Sequence, residues 1–596
     1  MIEHELRFAL TPSMVAEFEQ RTAIGLAGPS AGLRSRYFDT PAGDLMKAAL
    51  SLRIRQTPQG FVQSVRTAGG GRFERFEWAA PVSGEQPELD ALPPADHPAG
   101  AHVRACFDLL AVVFETRFER QLRLVRPQPG VRAELACDRG EISAGARSEQ
   151  VAEVELVRRE GPAAAFYHYA MQWASLHRAQ LVLSSKSLRG LRLAGYAPPQ
   201  PRPPLQGQPA PPLAALSVAG AARLVLRGHL DGLLDSMGPL LAVQDDGRAA
   251  HQFHLSLQRF RTAIRFFGLH GAGIGGRGYD AGAASDADPT LGAARVDDTA
   301  GDSERDAVDP STAWRHLRRE ARPLARAALL ADRIDSLANE LLPRLQAAFL
   351  GDPAVRLLER SLVLERERHR AGLREAVRAS ELTGFILQAL AAIEVLPSER
   401  WPGDRCEPFA LARLQALVRR LRRRTCRTRR SPRTAGDDPW REVAAAAGRL
   451  SDAIDGCRPL QLTALPVDEA VAMLSRWQGR TLLPCGSGLT RALAARVRSA
   501  PDAPGETATR AVALLDGYLA GAIGDCPPQE LRKSILAESR RLIRPLPERR
   551  GDAAAMPPAA DRVSRSGYHP ESPPLRAPAA QEAALPLVDP WKEDPE

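Results

Sequence analysis

Several short segments of this chain set acids and bases on alternate positions, as one face of a β-strand requires. In Ile2-Glu3-His4-Glu5-Leu6-Arg7-Phe8 a period of two puts Glu3, Glu5 and Arg7 side by side. Two carboxylates and a guanidinium make a poor apolar core. They suit a polar cavity, where the acids hold a hard cation and the arginine holds phosphate. The device returns at Glu153-Val154-Glu155, with Glu134 and Asp138 on a nearby segment. Mg2+ and Mn2+ prefer such oxygens and share their coordination with substrate phosphates.

Basic residues follow the same alternation. Leu52-Arg53-Ile54-Arg55 puts both arginines on one face, and Arg66 and Arg75 recur in Ser64-Val65-Arg66 and Arg75-Phe76-Glu77. Lys186 and Arg189 come later, in Ser185-Lys186-Ser187-Leu188-Arg189-Gly190. A planar guanidinium binds phosphate oxygens in pairs, so several around one cavity would hold a polyanion. One alternating strand is usually a solvated sheet face. Acid pairs and basic pairs recurring on successive strands point instead to a barrel with a polar interior.

With these motifs in order, residues 1–195 resemble the CYTH family of triphosphate tunnel metalloenzymes, whose first strand carries E-x-E-x-K. Supporting matches are Tyr37-Phe38-Asp39-Thr40-Pro41, Leu52-Arg53-Ile54-Arg55, Asp138-Arg139-Gly140-Glu141-Ile142, the Glu153/Glu155 pair, and Ser185-Lys186 with Arg189. Arg7 stands where the signature has lysine, and Arg66 where relatives usually have it. The resemblance implies an eight-stranded antiparallel tunnel that binds triphosphate with metal. Carried over by position, Glu3, Glu5, Glu134, Asp138, Glu153 and Glu155 are metal-side acids. Arg7, Arg53, Arg55, Arg66, Arg75, Arg120, Lys186 and Arg189 cradle phosphates, and Glu3, Glu5 and Arg7 form the catalytic signature.

The elements that must position these groups follow from composition shifts. Residues 1–195 carry short alternating segments punctuated by Gly and Pro, which predicts a β-rich domain. A proline-rich linker follows over 196–213, then long Ala/Leu/Arg segments at helical spacing over 214–546. The expected fold class is therefore α+β and multidomain, a β tunnel followed by an all-α bundle. Stretches near 271–309 and 425–438 lack a core-forming pattern and are expected as loops or disorder, as is the tail over 547–596.

In the helical region Phe253, Leu257, Phe260, Ile264 and Phe267 recur every three or four residues and predict a buried stripe. His251, His254, Gln258, Arg261 and Arg265 fall on a different, polar-to-basic face. This segment resembles the opening helix of the CHAD module, an α-helical domain that commonly follows CYTH and is associated with polyphosphate. That resemblance implies polyphosphate contacts at His251, Arg259, Arg261 and Arg265. Further helices fit the module near 324–342 and 369–395. The arginine run from Arg419 to Arg433 has no interleaved aromatics, which argues against a single-stranded nucleic-acid surface.

Lys+Arg exceed Asp+Glu by 80 to 71, a modest basic excess that suits anionic partners without choosing one. The seven cysteines form no C-x-x-C pair, which excludes a zinc ribbon and fits a reducing cytoplasm. The charged start MIEHELRF is unlike a signal peptide, and no run reaches the roughly 18 apolar residues of a membrane helix. The expected function is metal-dependent hydrolysis of inorganic triphosphate in a charged tunnel, beside a helical module that binds polyphosphate. Two rivals are a tunnel that binds polyphosphate without cleaving it, and a triphosphatase or cyclase acting on an organic triphosphate. Oligomeric state is left open by the sequence.

Overall fold

The computed structural model describes residues 2–543 except 24–29, 69–71, 198–215, 242–247, 271–309, 397–400, 402–404, 429–437, 461–469, 475–486, 502–503 and 525–527. Nearly all of the proline-rich linker, the 271–309 insertion and the 547–596 tail therefore lie outside the described residues. Eight strands close into one antiparallel barrel. They are β1 (Ile2–Ala9), β2 (Ser30–Asp39), β3 (Leu50–Thr57), β4 (Gly60–Ala68), β5 (Glu74–Val82), β6 (Ala111–Gln128), β7 (Val131–Ala144) and β8 (Arg147–Glu160). Their order around the barrel is β1-β5-β4-β3-β2-β6-β7-β8.

Five helices dress the barrel: α1 (Pro12–Ala23), α2 (Asp44–Lys47), α3 (Pro98–Ala105), α4 (Ala163–His177) and α5 (Lys186–Leu193). Strand alternation decides which side chains they cover. Leu6 and Phe8 of β1 point outward and are fully buried, and Phe8 meets Trp173 of α4 with ring centroids 5.4 Å apart. Each such burial contributes about 1.5–3 kcal/mol. On the opposite flank Leu52, Ile54 and Val65 pack with Leu92 and Val103 in a second core. Asp39 of the Tyr37–Pro41 motif is structural: its carboxylate accepts hydrogen bonds from the backbone N–H of Thr40, Leu45 and Met46 at 2.7, 2.9 and 2.9 Å. That caps the turn into α2.

Two glycines let elements approach closely. A Cβ at Gly140 would run into the Arg117 carbonyl of β6, so the Asp138–Ile142 motif needs glycine there for β6 and β7 to pair. A Cβ at Gly190 would enter the Phe114 ring, so α5 seats tightly on the barrel and Lys186, one turn earlier, reaches inside. Ser185 caps α5 by accepting from Leu188 N at 3.1 Å.

The helical region comprises α6 (Val218–Leu241), α7 (Arg248–Phe266), α8 (Pro310–Ala348), α9 (Pro353–Arg378), α10 (Ser380–Glu394), α11 (Cys406–Arg427), α12 (Asp438–Gly456) and helices over Ser487–Arg498, Gly505–Gly524 and Pro528–Ile543. Met1–Leu546 form one compact unit. One apolar core runs from the outer barrel face (Leu6, Leu135, Leu156), through Phe166 and Ala170 of α4, into Leu226, Phe260 and Ile386 of the helices.

The predicted α7 stripe is buried throughout, from Phe253 to Phe267. His254, placed by its spacing on the polar face, is buried as well. The helix is enclosed by α6, α8 and α12, so its apolar face is wider than one stripe. The expected loop at 425–438 also starts late. Thr425 continues the buried stripe of α11 one turn beyond Leu421 and donates to its carbonyl at 2.9 Å, carrying the helix to Arg427. Cys106, Cys137, Cys406, Cys426 and Cys457 are free thiols. Among the described residues no single helix is long and apolar enough to cross a membrane.

Candidate active site in the tunnel

The barrel encloses a cavity of about 400 Å³. Its lumen sorts charge by strand. On the β3–β4 side stand Arg53, Arg55 and Arg66, with Ser35 and Tyr37 of β2 beside them. On the β7–β8 side stand Asp138 and Glu155, with Glu153 buried beside them, and one carboxylate oxygen from each of the three lies within 4.8 Å of the others. The register explains the pairing: Asp138 lies opposite Glu153 across β7–β8, and Arg120 opposite Asp138 across β6–β7.

Three cations press on the acids. Lys186 Nζ lies 2.5 Å from Asp138, 2.6 Å from Glu153 and 2.7 Å from Glu155. Arg120 grips both oxygens of Asp138 at 2.7 and 2.6 Å and reaches Glu155 at 2.6 Å. Arg7 stands 3.9 Å from Glu155. Burial alone would raise the Glu155 carboxyl, but Lys186, Arg120 and Arg7 outweigh it and hold it well below the usual range. The triad fits a divalent cation. It offers clustered, buried carboxylate oxygens, the donors a hard cation takes, around the point where the Lys186 ammonium stands.

The basic wall is balanced differently. Glu77 accepts from Arg53 Nη2 at 3.1 Å and from Arg66 Nη2 at 2.8 Å. Burial would raise Glu77, but these two arginines pull it far below its ordinary value. Both arginines keep a buried Nε without a partner. Arg55 pairs with no carboxylate among the described residues and reaches only Ser35 Oγ, at 3.4 Å. Burial, then the charges of Arg53, Arg120 and Arg66, push its guanidinium down to about 9. Burial also acts to raise the Tyr37 phenol, yet Arg53, Arg66 and Arg55 bring it below its ordinary value.

The structure thus separates the eighteen residues singled out from the sequence. Asp138, Glu153 and Glu155 come together, while Glu3 and Glu134 share Arg159 instead, at 2.7 and 2.8 Å. Glu5 lies between Arg7 (2.7 Å) and Arg75 (3.1 Å). Of the basic set, Arg53, Arg55 and Arg66 form the open wall, and Arg120 and Lys186 sit on the acids. Arg189 reaches Glu149 at 2.6 Å and Glu153 at 3.4 Å, and it is not among the residues lining the cavity.

In the helical region His251 Nδ1 donates to Asp332 at 2.8 Å, and Arg259 pairs with Asp455. Arg261 and Arg265 are also partnered. Arg265 faces Arg318 of α8, whose guanidinium is pushed down to about 10 by burial and by the charges of Arg265 and Arg322.

Sequence reasoning passed over Glu77 and Tyr37 as site residues. Glu77 is two positions beyond Arg75, so the same alternation already put it on the inner face. Arg318 carried no local signal.

The closed eight-stranded tunnel thus carries acids on one wall and arginines on another. Residues 1–189 match the CYTH domain family. Over 171 residues the chain is 28% identical to an inorganic triphosphatase of Haemophilus influenzae, covering 27% of this chain and 46% of that protein. The chain therefore spans about half the length of the curated relative it matches. Among solved structures, the CHAD domain of the plant Ricinus communis aligns with 57% of this chain and 98% of its own, at 17% identity and a TM-score of 0.39. A Hippeastrum protein solved as an adenylyl cyclase candidate with a dominant triphosphatase activity aligns with 33% of this chain and 97% of its own, at 16% identity and a TM-score of 0.22.

Proposed function

We propose that the tunnel hydrolyses a phosphoanhydride bond of inorganic triphosphate, with Mg2+ or Mn2+ held by Asp138, Glu153 and Glu155. The observation that carries this reading is Arg55, a guanidinium enclosed among three others with no carboxylate beside it. Such an arrangement is costly unless an anion completes it. Arg53 and Arg66, with their unpartnered Nε groups, extend the donor surface along the same wall. The similarity to an inorganic triphosphatase supports the same substrate class.

When bound, a divalent cation supplies charge neutralisation at the phosphate oxygens. The arginine wall binds the chain of phosphates and orients it toward the acids. Glu155, held far below its ordinary value, stays ionised at neutral pH and is therefore a weak base. Catalysis then rests on positioning and electrostatic stabilisation rather than on a strong proton acceptor. We assign the tunnel domain to 1–195 and the helical module to 214–546. We place polyphosphate on that module at the Arg265–Arg318 cluster, where guanidinium charges gather.

The test is phosphate release from tripolyphosphate by the full chain, with Mg2+ or Mn2+ and with EDTA as control. Metal-dependent release that Glu153→Gln abolishes supports the proposal. Release unaffected by EDTA and by Glu153→Gln sinks it. A second reading, a tunnel that binds without cleaving, is favoured by one observation: Lys186 already stands among all three acids at 2.5–2.7 Å. Under that reading tripolyphosphate raises the Tm while no phosphate appears. Cyclic AMP formed from ATP would point to the cyclase alternative.

A further inference from the structure

Helix α6 carries Arg227, Asp231 and Asp235 four residues apart, which stacks them on one face. That face meets the tunnel wall at the start of β5. Arg227 Nη2 donates to Glu74 at 2.7 Å, and its Nη1 donates to Glu394 of α10 at 2.5 Å. Eight residues along α6, Asp235 pairs with Arg72. Arg72 and Glu74 both line the tunnel cavity. Asp231 belongs to the same network. Burial pushes its carboxyl up to about 6, against the pull of Arg227 and Arg72 and with the push of Asp235 and Glu74.

The helical region thus sets the charge at one end of the tunnel. It neutralises an acid that would repel a polyanion, Glu74, and it engages an arginine that would attract one, Arg72. We propose that Asp235 is a positioning residue that competes with the anionic substrate for Arg72, so that the helical region tunes the affinity of the tunnel. The inference rests on the polyanion reading of the tunnel. Two effects act in the same direction at Asp235. Its charge repels an incoming phosphate, and its ion pair with Arg72 must open before that guanidinium can turn to the substrate. Both side chains are partly exposed, so rearrangement requires no unpacking of the core.

The experiment measures tripolyphosphate binding to the full chain by calorimetry in EDTA, alongside KM and kcat with metal. Asp235→Asn is expected to lower Kd about three- to tenfold, with KM following and kcat unchanged. Asp235→Glu should return both values to those of the wild type. In an Arg72→Ala background the Asp235→Asn effect should shrink to less than about twofold, because the shared partner is gone. A wild-type chain that binds tripolyphosphate while Asp235→Asn leaves Kd unchanged or raises it would overturn the inference and spare the tunnel reading. So would a tightening that persists undiminished without Arg72. A wild-type chain that binds no tripolyphosphate would overturn both.

Discussion

The molecule gathers arginines in two places, and the two are built on different terms. In the tunnel, Arg53, Arg55 and Arg66 arrive by strand alternation and are enclosed by a complete ring of hydrogen-bonded strands. In the helical region, Arg265 and Arg318 come from separate helices and meet on a half-buried surface. Both clusters depress a member guanidinium, Arg55 to about 9 and Arg318 to about 10, through burial first and neighbouring arginines second. The difference lies in the surroundings. An enclosed cluster works in a low dielectric that salt scarcely screens, whereas an open one acts through a field that falls off within about a Debye length of 10 Å or less. The comparison teaches that enclosure, more than the number of arginines, separates a specific phosphate site from a general anion surface.

The largest effect that would break this comparison belongs to Arg55. Arg55→Ala is expected to reduce kcat/KM for tripolyphosphate by about 100- to 1000-fold, the range typical of losing one preorganised donor. Arg318→Ala should leave that value within about twofold. If the two variants cost the same, enclosure does not distinguish the two clusters.

Next comes the acidic wall. Lys186→Met leaves Asp138, Glu153 and Glu155 without their shared cation, and Tm should fall on the order of 10 °C at pH 7.5. The folded Glu155 carboxyl lies below its ordinary value of 4.5, so the stability it gains from Lys186 is complete above that pH. It is lost as pH falls toward the folded value. The difference in Tm between variant and wild type should therefore narrow below pH 4.5, and a gap that stayed constant from pH 7.5 to pH 3 would contradict the assignment.

A smaller effect of opposite sign is expected at Asp231. Its folded pKa of about 6 lies above the ordinary 3.8, so the folded state binds the proton more tightly. Stability from this group is present below 3.8 and lost as pH rises through 6. Asp231→Asn should thus stabilise the protein by about 1–3 kcal/mol at pH 7.5, with the gain shrinking toward zero below pH 4. Denaturation curves at the two pH values would show it, and equal gains at both would count against a titrating Asp231.

The smallest effect sharpens the helical side. Arg265→Ala should weaken binding of long-chain polyphosphate only a few-fold at low salt, and the difference should vanish near 0.5 M salt. Tripolyphosphate binding in the tunnel should lose much less affinity over the same range. A salt dependence as steep in the tunnel as on the helices would erase the contrast between them.

Much of the tunnel was legible in the residues because strand geometry is local. Alternation with a period of two put Glu3, Glu5 and Arg7 on one face, and Arg53 with Arg55, before any pairing was known. The α7 stripe was legible for the same reason, with a period of 3.6. What alternation cannot supply is height along the tunnel. Glu3 and Glu5 share a face, yet Glu3 meets Arg159 and Glu5 meets Arg7 and Arg75, because register with β5 and β8 sets the level of each. Selection of Asp138, Glu153 and Glu155 from six candidate acids was likewise a matter of register, as was the lone position of Arg55.

Alternating strands, helical stripes and a charged lumen can all be read from residue order, since each follows from the repeat of a single element. Packing between elements sets which acids share Lys186, buries His254, brings Arg318 to Arg265, and joins α6 to the tunnel through Arg227 and Asp235. Those contacts join residues far apart in the chain, and no local period records where two elements will cross.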